Sequence, residues 1–244
     1  MPRWSRAAFA IAAALPLVVL QPGVAQAAGN AKAYKLMSQT GGRGAVARWN
    51  PCAGPIDYRV NLARSPKSSL PEVKQAVANV AKATGLTFRY AGTTSAVPAA
   101  NKGFSGTYPA GTEIVIAWAA PGVQSSMLPR TTTTAGMGGY LARSAYTASG
   151  APAWSMSQGR VVLNAAIAAR MARGFGAGRG GTTGQLLMHE IGHAVGLDHP
   201  TIADKYEIMY PVLTTKKATW GAGDLTGLRL VGRSAGCLYH QPPK

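Results

Sequence analysis

The sequence predicts an α+β domain, and three observations carry that expectation. Trp49, Ile56, Tyr58 and Val60 alternate with polar residues in the period of a half-buried strand. Val73, Ala76, Val77, Val80 and Ala81 recur at helical spacing, and Leu187, Ile191, Ala194 and Val195 do so again further on. Strands that precede and interleave with helices, followed by a helical end, describe a twisted mixed sheet carrying helices on one side, the last of them C-terminal. A chain of 244 residues fits one such domain, and no internal repeat is visible.

Residues 1–27 have the pattern of a removable secretory signal peptide. Arg3 and Arg6 precede an apolar run from Ala7 to Leu20, and Ala25, Gln26 and Ala27 place small residues at a cleavage position. A membrane anchor fits less well, because the run is shorter than the roughly 20 residues a bilayer span needs and Pro16 interrupts it. A secreted, extracellular protein with no membrane span after processing is expected. Residues 28–47 are small, polar and basic, with Gly41, Gly42 and Gly44 close together, so a flexible basic leader with little to bury is expected there. The folded domain is expected over 48–244.

Within that domain Ser69, Pro71 and Glu72 read as a capping box with proline in the first turn, opening a helix that Gly85 closes. Leu86 to Tyr90 and Glu113 to Ala119 read as strands, separated by a long loop rich in Gly, Ser, Thr and Pro. The stretch from Ser125 to Gly159 carries weak signals. Val161 to Leu163 read as a short buried strand, and Gly174 to Gly181 as a loop.

Charge constrains the partners. The chain has 25 Lys and Arg against 8 Asp and Glu, and only Arg3 and Arg6 would leave with the signal. Such an excess favours anionic surroundings, so anionic cell-wall or surface polymers are candidate partners. Most of the cations are scattered, as on a solvated surface. The one dense patch, Arg170, Arg173 and Arg179, lacks the interleaved aromatics that stack bases, so no specific nucleic acid is expected. A monomer is expected. The two cysteines, Cys52 and Cys237, are expected to form a disulfide joining the ends of the domain, in keeping with an oxidising destination. A thiolate that blocks a metal is the competing reading.

The chemistry is concentrated between Gly181 and Pro200. Thr182 and Gln185 are placed as a capping box, so a helix starts there. His189 and His193 then lie one turn apart on a face different from the apolar stripe, which suits two imidazoles converging on one zinc ion. Gly196 can take the left-handed conformation that ends the helix and swings His199 back as a third ligand. Three protein ligands leave one position open, the catalytic arrangement of zinc, and Glu190 lies beside them without being needed as a ligand. His240, in a polar tail, has no such company.

The run His189-Glu190-Ile191-Gly192-His193-Ala194-Val195-Gly196-Leu197-Asp198-His199 resembles the extended zinc signature of the metzincin metallopeptidases. Ile208-Met209-Tyr210-Pro211 resembles the methionine turn of their matrixin branch, with Met209 as a structural floor under the metal and not a ligand. The resemblance implies a single metzincin-like zinc peptidase domain of secreted bacterial type and one catalytic zinc ion. It implies an endopeptidase acting on a protein or peptide through a zinc-activated water, with Glu190 as the general base. It also implies that an extended substrate lies along an edge strand, for which Gly139 to Ala145 with Tyr140 and Leu141 are the candidates. Pro211 and Val212 would wall the pocket for the residue after the cut, with Thr214 to Gly223 as its outer loop. The structural zinc and calcium ligands of matrixins are missing, so calcium is not expected. Two readings from other classes share the same residues: a secreted zinc hydrolase of cell-wall peptides, and a non-catalytic basic wall-binding zinc protein.

Overall fold

The computed structural model describes residues 1, 26–37, 46–99, 108–130 and 133–242. The expected signal peptide lies almost wholly outside the described residues, as does part of the Gly/Ser/Thr/Pro loop. The domain is mixed α+β, with a largely parallel sheet and four α-helices among the described residues. None of those helices is long and apolar enough to cross a membrane.

The sheet is built from β2 (Ala47–Arg48), β3 (Ile56–Asn61), β4 (Phe88–Thr93), β5 (Ile114–Ala119), β6 (Gly136–Tyr146) and β7 (Pro152–Asn164). β4, β3, β5 and β7 follow one another in parallel, and β2 runs parallel to the early part of β7 that β5 leaves uncovered. β6 is antiparallel to β7 and closes the sheet as an edge strand. β5 reads Ile-Val-Ile-Ala-Trp-Ala and is buried throughout, as a strand covered on both faces must be.

Helix α1 (Ser69–Thr84) lays Val73, Ala76, Val77 and Val80 against the core, and each large side chain so buried contributes about 1.5–3 kcal/mol. Gly85 ends it in a left-handed turn whose amide returns to the Ala81 carbonyl. The expected capping box at Ser69 and Glu72 does not form. Ser68 is the cap residue, the Ser69 hydroxyl donates to the Pro66 carbonyl, and Glu72 turns instead to Gly174, Thr183 and Arg173. The expected strand at Leu86 to Tyr90 is displaced to β4.

A short helix α2 (Ala165–Ala168) follows β7, capped by the Asn164 side chain. Helix α3 (Thr183–Ala194) is buried on every side, between α1 and the sheet. The chain closes with α4 (Ala222–Val231) and a 3-10 turn at Arg233–Ala235. Cys52 and Cys237 form the expected disulfide across 185 residues.

Residues 28–37 depart from the expected flexible leader with little to bury. Lys35–Leu36 form β1, which pairs antiparallel with β8 (Leu197–Asp198), and Ala33 is fully buried. The pairing is reinforced by the Met37 amide, which donates to the Gly196 carbonyl, and by a Lys35–Asp198 ion pair at 2.6 Å. Residues 38–45 of the expected leader lie outside the described residues.

Candidate metal centre

Helix α3 begins where the sequence places it. The Thr182 hydroxyl accepts the Gln185 amide at 3.3 Å, but the Gln185 side chain bonds Thr214 instead of returning to the cap. Leu187, Ile191, Ala194 and Val195 all sit in the core. His189 and His193 leave the helix one turn apart, and Gly196, at φ +112°, reverses the chain through β8 to bring His199 against them. A side chain at that φ would be strained, and a Cβ there would also press on Met156 and the Ala47 carbonyl.

The three Nε2 atoms converge. His189 and His199 are 3.0 Å apart at Nε2, and His193 and His199 are 3.2 Å apart. The Nδ1 atoms of the two helical histidines face carbonyl oxygens, Ile208 at 2.7 Å and Leu197 at 2.8 Å. A carbonyl can only accept, so Nδ1 carries the proton and Nε2 presents its lone pair to the others. Two acceptors packed this closely leave at least one lone pair without a donor, a situation that a cation relieves. The residues present fit a metal ion: three ligand atoms lie within 4.8 Å of one another, compatible with zinc. Burial first, then the neighbouring imidazoles, holds His189 down at about 3; burial also lowers His193 to about 4 and His199 below its ordinary value. All three are therefore neutral at pH 7, as metal ligands must be.

Glu190 is 4 % exposed and sits beside the cage. Burial pushes its carboxyl up to about 8, against the opposing pull of the Gly138 amide. Edge strand β6 lies directly over it. A Cβ on Gly136 would stand 2.6 Å from Glu190 Oε1, and one on Gly138 would stand 2.1 Å from the Glu190 carbonyl oxygen. Two glycines thus let the strand backbone rest on the helix that carries His189 and His193.

Met209 is buried, its sulfur where a side chain on Gly192 of α3 would otherwise stand. The turn that carries it is held by Asp224, which accepts the Ile208 and Met209 amides from the first turn of α4. Glu207 accepts the Gly223 and Asp224 amides at 3.1 and 2.7 Å.

The site opens into a groove of about 760 Å³, lined on one side by 133–138 and on the other by Pro211, Val212 and Leu213, with Ile167, Met171 and Leu186 supplying apolar walls. Pro211 and Val212 line the same groove as the three histidines. Tyr140 and Leu141 do not line it. Tyr140 is buried and donates its hydroxyl to the Met37 carbonyl, and Leu141 lies further along β6. The stretch that faces the groove is 136–138, because only there does the strand cross Glu190. Met37, from the N-terminal segment, and Asp198 complete the lining beside His199. These contributors were invisible to spacing; the one available signal was the Gly-Met-Gly-Gly run at 136–139. His240 lies in a separate small cavity with Trp49 and Glu113. Comparison with known protein families and with curated proteins returns no match.

Proposed function

We propose that the protein is a secreted zinc-dependent endopeptidase of the matrixin type. The observation that carries the reading is the convergence of three imidazole Nε2 atoms next to Glu190, in a groove beneath the free edge of β6. Ligands arranged tetrahedrally at zinc distances stand about 3.3 to 3.4 Å apart, close to the 3.0 and 3.2 Å between the histidine nitrogens. Among the described residues no fourth His, Cys, Asp or Glu joins the group, which suits a site that keeps a position for reactants. The leader pattern and the disulfide support an extracellular destination.

His189, His193 and His199 would hold the ion. When bound, zinc supplies Lewis acidity toward a water molecule and toward the scissile carbonyl. Glu190 takes the proton of the attacking water and delivers it to the departing amine. A neighbouring cation lowers a carboxyl pKa, so Glu190 is the ionised base in the loaded protein. Among the described residues β6 pairs with β7 alone, and its other edge is where an extended peptide would add a strand to the sheet. The apolar walls at Met171, Val212 and Leu213 receive a side chain and keep water from the reacting bond.

Cleavage of a mixed library of quenched peptides tests the reading, with zinc, with chelator, and with Glu190→Ala and His193→Ala alongside. The expected result is zinc-dependent cleavage that falls by about 10²- to 10⁴-fold in Glu190→Ala, with zinc retained. His193→Ala should lose the metal. Retained turnover in pure Glu190→Ala would sink the role given to Glu190, and no cleavage by folded, zinc-loaded protein would favour a cell-wall peptide hydrolase or a binding protein.

A further inference from the structure

Building on the peptidase reading, we propose that the substrates are acidic polypeptides, in which carboxylate side chains flank an apolar residue and meet a cationic rim at the apolar end of the groove. The rim is made of two loops. Gly178 donates its amide to the Thr215 carbonyl at 3.3 Å, Ala218 donates to the Phe175 carbonyl at 2.9 Å, and the Gln185 side chain bonds Thr214. The glycine-rich stretch and the segment that begins at Leu213 are therefore laced into one wall, and both contribute residues to the groove, Gly180 from the first and Leu213 from the second.

Two cations, Arg179 and Lys217, belong to that wall, and a third, Arg170, adjoins the groove through Met171. Arg170 directly precedes Met171 and Arg179 directly precedes Gly180, and both of those neighbours line the groove. Lys217 lies between the hydrogen-bonded positions Thr215 and Ala218. All three are exposed. The fourth cation of the patch, Arg173, is different: it is paired with Glu72 at 3.0 Å and bonds the Lys67 carbonyl, so it serves the fold. Lys216 covers the Tyr206 ring at 3.8 Å.

No carboxylate side chain of the protein answers the remaining three charges. The chain has eight acids, and every one is committed. Asp57, Glu72 and Asp198 pair with Arg89, Arg173 and Lys35. Glu113, Asp204, Glu207 and Asp224 accept backbone amides. Glu190 is buried at the cage. Beside the groove, cations without internal counter-charges make a positive potential that a low-dielectric wall focuses onto whatever enters. A peptide seated against Met171 and Leu213 brings its neighbouring side chains to this rim, where carboxylates are drawn in and further cations are repelled.

The test uses two quenched peptides with the same cut site, chosen from the library, one carrying Glu and the other Gln at the flanking positions. Labelled forms of both are also titrated against zinc-loaded Glu190→Ala by fluorescence anisotropy, so binding is read whether or not cleavage occurs. The Glu peptide is expected to show about tenfold higher kcat/KM, mainly through KM, as two or three exposed ion pairs allow. The preference should shrink between about 50 and 500 mM salt. In the triple variant Arg170→Gln, Arg179→Gln and Lys217→Gln, checked for fold and zinc content, the ratio between the peptides should approach one. Equal binding and cleavage of the two peptides would overturn the proposal, as would a preference that survives the triple substitution. Polyphosphate bound at the rim with no Glu preference would also overturn it, in favour of a polymer site. Absence of cleavage with tighter, rim-dependent binding of the Glu peptide would reject the peptidase reading and keep the acidic ligand.

Discussion

Asp224 and His189 are joined through a single residue, Ile208, whose amide donates to the Asp224 carboxylate and whose carbonyl accepts the His189 Nδ1–H at 2.7 Å. The aspartate bonds none of the three histidines, yet it fixes the peptide that aims the first imidazole.

Metal affinity should register that connection. Loss of a partner that orients a ligand typically weakens binding about 10- to 100-fold. Asp224→Ala is expected to fall in that range in a competition titration against a chromophoric chelator. Asp224→Asn, which keeps one acceptor oxygen, should fall between it and the parent. Unchanged affinity in folded Asp224→Ala would remove the residue from this role.

The same aspartate makes stability depend on pH. Burial and the adjacent Glu207 raise its carboxyl to about 7 from an ordinary 3.8. A carboxyl raised in the folded state holds its proton more tightly there, so its stabilising contribution is complete below about pH 4 and is lost as pH rises through 7. Asp224→Asn has no such proton to lose. In metal-free protein the variant should gain on the parent as pH rises from 4 to 8, read from urea midpoints. The histidines titrate in both proteins and cancel. A gap independent of pH would show that the proton is not held there.

Neighbouring glycines of β6 should respond differently to alanine. At Gly138 the new Cβ meets the backbone of Glu190, which cannot yield without moving the helix, and a loss of about 1–3 kcal/mol is expected. At Gly139 nothing lies within 4 Å, and a change within about 0.5 kcal/mol is expected. Thermal unfolding of the two variants decides the matter; similar losses would mean that the strand does not rest on the helix as described.

The site was legible where its geometry is local. His189, Glu190 and His193 lie on one helix, and Gly196 supplies the reversal for His199, so spacing alone brought the three imidazoles together. Met209 was singled out by the resemblance of its turn, and it is buried. Long-range pairings left no periodic trace. β6 shows no apolar alternation, because two of its inward positions are glycines pressed on α3, and so the strand's groove-lining stretch was expected at Tyr140 and Leu141 instead of 136–138. Glu72 looks like a capping residue until the loop at Gly174 and Thr183 claims it. Residues 28–37 looked spare because what they bury belongs to β8 and α4, more than 150 positions away.

The disulfide encloses nearly the whole domain, from position 52 to position 237. A backbone cut anywhere between those positions leaves both pieces on one covalent frame. If copies of this protein nick one another's loops, the damage will run as a single intact band on a non-reducing gel and will surface as fragments once a thiol is added.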